Sequence, residues 1–175
     1  MTAKKLCWGK RVSPAFRVEV IRIASDLGCN PDYLMACMAF ETGRTFMPDI
    51  RNAAGSGACG LIQFMPSTAQ ALGTSTDALA KMSAVKQLEW VCQYFWSKRG
   101  KLKTLSDMYM AILWPAAVGK SDDYILFDKR DSKNPKRYIQ NAGLDWNKDG
   151  QITKGEATKK VWKVFEEGMR EENVA

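Results

Sequence analysis

The chain contains no histidine, and this absence narrows its chemistry more than its average composition does. Nucleophile systems built on a Cys-His or Ser-His pair are excluded, as are the common imidazole-bearing zinc sites. Proton transfer then falls to carboxylates. Long hydrophobic runs are also missing, none approaching the roughly 18–20 residues of a membrane span. The N-terminal MTAKKLCWGKR has basic residues but no apolar stretch behind them, so no signal peptide is expected and synthesis in the cytoplasm is. CxxC pairs are absent: Cys7, Cys29, Cys37, Cys59 and Cys92 are odd in number and dispersed, which favours buried thiols in a reducing compartment over a disulfide framework. There is no internal repeat, no low-complexity tract and no recognisable nucleic-acid module.

What remains is an ordinary globular composition, 46% hydrophobic and 26% charged over 175 residues, enough for one domain with a sizeable core. The net charge of +7 is spread along the chain and suits an acidic partner such as an anionic cell envelope. A monomer is expected.

Helical spacing dominates. Ser13-Pro14 supplies an N-cap and first-turn proline, and Phe16, Val20, Ile23, Ala24 and Leu27 follow until Gly28. Asn30-Pro31 repeats the start signal for a helix through Tyr33, Leu34, Cys37, Met38 and Glu41, closed by Gly43. Residues 44–60 read as a glycine-rich loop, and Pro66 opens a short helix to about Leu72. Further helices begin at Ser83, with Val85, Leu88, Val91, Cys92 and Phe95 on one face, and at Leu105, ended by Pro115. Strand alternation is scarce, with short candidates near Tyr124–Phe127 and in the glycine loop. Residues 119–137 read as an exposed polar loop. The fold class is mainly α.

Glu41 ends the apolar run Met35-Ala-Cys-Met-Ala-Phe. Taken alone it suits a solvated helix end. Flanked by apolar atoms, however, a glutamate gains a raised pKa and becomes a general acid near neutral pH. Downstream stands Ser56-Gly57-Ala58-Cys59-Gly60-Leu61-Ile62-Gln63-Phe64-Met65-Pro66, followed by Thr68-Ala69. Met38–Ala69 as a whole resembles the active-site region of lytic transglycosylases of the lysozyme superfamily, where a Glu-Ser pair precedes Ser-x-Gly-Ala-x-Gly-Leu-Met-Gln-x-Met-Pro. Thr42 stands for the serine and Ile62 for the methionine.

The resemblance implies a lysozyme-like α-rich fold and cleavage of the MurNAc–GlcNAc β-1,4 bond of peptidoglycan glycan strands, with no catalytic cofactor. It implies Glu41 as acid and then base, giving 1,6-anhydro-MurNAc ends. Substrate contacts are expected from Thr42, Ser56, Gly57, Gly60, Gln63 and Met65, with Ser56 facing either sugar or loop. Gln63 has an amide to offer to the sugar or to the catalytic carboxyl. The family's Ala-Tyr-Asn-Ala-Gly aligns with Met108-Tyr109-Met110-Ala111-Ile112, which keeps Tyr109 beside the acid but loses the asparagine and glycine. A later family tyrosine corresponds to Tyr138. Asp49 is the acidic residue between Glu41 and the glycine motif, hence the candidate second carboxylate of a hydrolytic lysozyme on the same fold. Small size, basic charge and the absent signal peptide suit a bacteriophage endolysin or virion-associated lysin acting on the wall from the periplasm. A calcium-dependent wall-binding or structural module without activity is the alternative from another class.

Residues 145–156, DWNKDGQITKGE, match the twelve-position EF-hand loop. Asp145, Asn147 and Asp149 stand at positions 1, 3 and 5, Gly150 at the turn, and Gln151 at 7 with its carbonyl. Thr153 is placed to act through water, and Glu156 closes the loop as the bidentate ligand. One unpaired loop holding a structural Ca²⁺ is expected, with little room for a helix before it and a helix at Lys154–Met169 after it. Residues 1–137 are read as the catalytic part and 138–175 as the calcium loop and C-terminal helix packed on it in the same domain.

Overall fold

The computed structural model describes residues 5–175. Helices take 53% of the chain and strands 6%, so the architecture is mainly α with one small sheet. Helix α1 (Pro14–Leu27) starts where the Ser13 hydroxyl accepts from the Phe16 N–H, and stops at Gly28, whose φ of 66° a side chain would strain. Helix α2 (Pro31–Glu41) is capped by Asn30 and is buried continuously from Leu34 to Ala39. Such a helix must be enclosed on all sides, and α2 packs among α1, α6 (Leu105–Leu113) and α8 (Lys154–Gly168).

Two short helices, α3 (Pro66–Ala71) and α4 (Thr76–Ala80), follow the glycine-rich loop. Sequence spacing reveals α3 but not α4, whose five residues span too few turns to show a period. Helix α5 (Ala84–Phe95) lays Gln87, Leu88, Val91 and Phe95 inward against α1.

The expected exposed loop at 119–137 contains strand β1 (Ile125–Asp128), which pairs antiparallel with β2 (Gln151–Thr153) inside the EF-hand-like loop. Phe127 faces Ile152 and Asp128 faces Gln151, with an irregularity between Ile125 and Phe127. A seven-residue helix, α7 (Pro135–Asn141), and a 3₁₀ turn (Ala142–Leu144) lead into the loop, where little room for a helix was expected. Pro135 at the first position starts this helix instead of breaking it.

The C-terminal segment is joined to the rest of the core. Fully buried Trp8 donates its indole N–H to Val164 O at 3.0 Å, and the Leu6 N–H reaches Ala175 O at 2.7 Å. Buried Lys154 meets Asp107 at 2.5 Å and donates to Lys120 O at 2.6 Å, while Gly119 N–H also bonds Asp107. Against the opposing effect of burial, the bonds from Lys154 and Gly119 hold the Asp107 carboxyl below its ordinary range. The first residue of α8 is thereby fixed to the first turn of α6.

Candidate active site

Glu41 is the last residue of α2. Its surroundings follow from that position: α2 is enclosed, so a carboxylate at its end lies between core and surface. It is half-buried, and burial pushes its carboxyl up to about 7. Among the described residues no cation or hydrogen bond opposes the shift, and no second carboxylate adds to it. Three groups register the Glu41 charge. Cys37, one turn earlier and fully buried, has its thiol raised well above the usual range by burial first and Glu41 second. Burial, then Glu41, does the same to the Tyr109 hydroxyl from α6, and pushes Tyr94 of α5 up to about 12. Tyr109 packs edge-on against Phe40, centroids 5.5 Å apart. Tyr94 donates its hydroxyl to Ala111 O at 2.8 Å.

Three helices thus converge on one carboxyl. Tyr94 was not among the residues expected here, although it lies one helical turn beyond Val91 on the inward side of α5.

The glycine-rich loop joins the group through Phe64, whose ring meets Tyr94 edge-on at 6.0 Å. Loop closure comes from Cys59, which exchanges backbone hydrogen bonds with Phe64, and from Gly60 N–H to Ile50 O. Beneath it lies Gln87, fully buried on α5. Its carbonyl accepts from Leu61 N–H at 2.7 Å, and its amide donates to Pro48 O and Leu79 O, each at 2.9 Å. A single side chain therefore satisfies backbone groups of three separate segments. Sequence inspection misses it because an unbranched amide at a helical position looks like any exposed one.

Several expected substrate contacts are turned elsewhere. Thr42 is fully buried; its hydroxyl donates to Met38 O at 2.7 Å and accepts from Phe46 N–H at 2.9 Å. Both bonds close the end of α2, so the hydroxyl fixes Glu41 in place and has no face for a sugar. Gly60 is buried at φ 85°, and a Cβ there would overlap the Gln87 amide. It permits packing inward, where approach to a ligand was expected. Gln63, itself at φ 52°, donates its amide to Ile50 O and Gly60 O, each at 3.1 Å, so those protons tie the loop and do not reach Glu41.

Tyr138 of α7 donates its hydroxyl to Asp145 at 2.6 Å, which ties it to the EF-hand-like loop. Gly57 has φ 78° with Pro66 close behind its missing Cβ. Ser56 is exposed and accepts from Ala58 N–H, Met65 is 45% exposed, and Asp49 is exposed. Ser56 and Met65 keep surfaces available to a ligand.

In the EF-hand-like loop, Asp145 is buried; one carboxylate oxygen accepts from Tyr138 and from Gly150 N–H. Glu156 accepts from the Thr153 N–H and hydroxyl through one oxygen, completing a capping box at the start of α8. The other oxygen of each, Asp145 Oδ1 and Glu156 Oε1, is buried with no partner, and these are the two such side-chain atoms among the described residues. They belong to positions 1 and 12, the loop's first and last metal ligands. The residues present therefore fit a hard cation that takes oxygen donors. Among the described residues, no three His, Cys, Asp or Glu side chains are gathered closely enough to hold a metal ion by themselves.

No protein-family model matches the chain, and no curated protein sequence matches it. No helix among the described residues is long and apolar enough to cross a membrane.

Proposed function

We propose that the chain cleaves the β-1,4 bond between MurNAc and GlcNAc in peptidoglycan, as a lytic transglycosylase. The observation that carries this reading is Glu41: a half-buried carboxyl raised to about 7, with no other carboxylate acting on its charge. An acid of that pKa is partly protonated at neutral pH and still basic once ionised, as a group that both gives and takes a proton must be. The resemblance over Met38–Ala69 supplies the substrate.

In the first step protonated Glu41 gives its proton to the glycosidic oxygen as the bond from the muramyl C1 breaks. The Glu41 carboxylate then takes the proton of the same sugar's 6-hydroxyl as O6 bonds to C1. The products are a 1,6-anhydro-MurNAc end and a free GlcNAc 4-hydroxyl, and no water is consumed. Tyr109, whose hydroxyl burial and the Glu41 charge keep protonated, lies near enough to sense this carboxyl. Ser56 and Met65 offer a polar and an apolar surface to the sugars. The single-carboxylate route suits a site in which Asp49 stands exposed in the loop.

Asp145, Asn147, Asp149 and Glu156 with the Gln151 carbonyl would hold Ca²⁺, which neutralises the two unpartnered buried carboxylate oxygens and pins the loop. Its part is structural. The setting most consistent with this chemistry is a phage lysin made in the host cytoplasm and acting on the wall.

Purified cell walls treated with the protein should yield anhydro-muramyl ends by mass spectrometry, and Glu41→Gln should lower clearing at least 100-fold by the measure of lost acid–base catalysis. Wild-type clearing by that variant refutes the assignment of Glu41, and reducing ends refute the transglycosylase route.

A further inference from the structure

The end of α6 leaves one backbone group that its own helix cannot satisfy. Trp114 N–H closes the last turn on Met110 O at 2.8 Å. The next carbonyl, Ala111 O, would take the N–H four residues on, but that residue is Pro115, which has none. Ala111 is buried, so a donor from within the protein has to stand in for it. Tyr94 of α5 supplies that donor through its hydroxyl at 2.8 Å.

That bond decides what Tyr94 does to the acid. A phenol has one proton to donate. Near a carboxylate it ordinarily donates to the charged form and lowers the carboxyl's pKa. Tyr94 lies near enough to Glu41 for that charge to act on its hydroxyl, yet its proton is spent on Ala111 O, and burial alone governs Glu41. The ring is held from two further sides, edge-on by Phe64 of the glycine-rich loop at 6.0 Å and by Phe95 at 5.0 Å. Phe64 is in turn fixed by its backbone exchange with Cys59. Tyr94 therefore brings an aromatic ring without a free proton to the place where α5, the end of α6 and the loop meet.

We infer that Tyr94 is a positioning residue for Glu41: its ring belongs to the apolar surroundings of the carboxyl, and Pro115, by leaving Ala111 O without a backbone donor, keeps the Tyr94 proton off it. The inference rests on the proposed role of Glu41 as the acid and adds the reason why that acid stays unsatisfied with a tyrosine nearby.

The test follows the Glu41 carboxyl of the full chain by its ¹³C shift against pH, the signal being assigned by its loss in Glu41→Gln. The pH profile of kcat/KM on cell walls is measured alongside. Tyr94→Phe removes the proton and keeps the ring. Its midpoint should stay within about 0.3 pH unit of the wild-type value of about 7, while Tm falls with the lost bond to Ala111 O. Tyr94→Leu removes the ring, and its midpoint should fall by about one pH unit or more toward 4.5 as water reaches the carboxyl. The alkaline limb of kcat/KM should move down with it. Should Tyr94→Leu not fold, Tyr94→Met takes its place with the same expected direction. A raised midpoint in Tyr94→Phe overturns the inference, because the hydroxyl then bonded the carboxylate in the wild type. An unchanged midpoint with a lowered Tm in the variant without the ring also overturns it, since Tyr94 then only packs. The titrations need no substrate, so the unchanged and the lowered midpoint support the inference even where no wall is cut and the cleavage reading alone fails.

Discussion

Replacing Glu41 by glutamine should stabilise the protein, and by an amount that grows with pH. In the folded chain burial holds the Glu41 carboxyl at about 7, against an ordinary value of 4.5 in the unfolded chain. Between those two values the folded state binds more protons than the unfolded state, so stability falls as pH rises through that window. Below about pH 4.5 the contribution is intact, and above about 7 it is lost. At about 1.4 kcal/mol per unit, the span corresponds to roughly 3 kcal/mol of ionisation penalty at pH 8. Glutamine keeps the shape and never ionises. The difference in Tm between Glu41→Gln and wild type should therefore rise by roughly 6–12 °C from pH 4 to pH 8, at 2–4 °C per kcal/mol for a chain of this size. Paired calorimetric melts across that range measure it, and every other titrating group cancels in the difference. A gap in Tm independent of pH would refute the desolvated acid, whatever the substrate proves to be.

The EF-hand-like loop carries the second expectation: excess Ca²⁺ over EGTA should raise Tm by roughly 5–10 °C, since a ligand at 100 times its Kd contributes about 2.7 kcal/mol. Asp145→Asn should abolish most of that response, and an unchanged Tm with and without chelator would sink the metal assignment. For the glycine-rich loop, Gly60→Ala should cost about 3 kcal/mol or more by denaturant titration, combining a positive φ with overlap on the Gln87 amide. A loss under about 1 kcal/mol would show that Gln87 is not the loop's anchor.

Much of the helical frame was legible because its signals are local. Ser13-Pro14, Asn30-Pro31 and Ser83 all cap the helices that follow them, through hydroxyl or amide oxygens that accept N–H groups two or three residues on. What escaped depends on partners distant in the chain. Gln87 bonds Leu61 and Pro48, residues on other segments, and β2, the partner that pairs with the strand candidate near Tyr124–Phe127, lies inside the EF-hand-like loop where no strand was expected. The site divides in the same way. Glu41 taken alone suited a solvated helix end; the motif downstream singled it out, and its burial at the end of an enclosed helix is visible only in the fold. Thr42, Gly60 and Gln63 carry the right residue types for sugar contacts, yet they spend their polar groups and conformations on the loop itself. A motif records which residues occur together, and structure decides which of them face outward.

That division has a physical consequence for how the molecule tolerates its own acid. A desolvated carboxylate with no partner pulls the folded state down at neutral pH, and its neighbours Cys37, Tyr94 and Tyr109 supply no positive charge to relieve it. Compensation has to come from groups that never touch the cleft. The Thr42 hydroxyl fixes the helix end, Gln87 satisfies three segments of the loop floor, and Lys154 locks α8 to α6 two residues before Tyr109. Each is a buried polar group with its bonds made, and each is expensive to disturb for that reason. The EF-hand-like loop extends the pattern, because its two unpartnered oxygens belong to residues that flank Lys154 in the chain, Asp145 before it and Glu156 after it, and are the ones a cation would satisfy. Bonds made by Thr42, Gln87 and Lys154 thus offset a carboxyl that remains unsatisfied, and an unsatisfied carboxyl with a raised pKa is the condition that the proposed proton transfer requires.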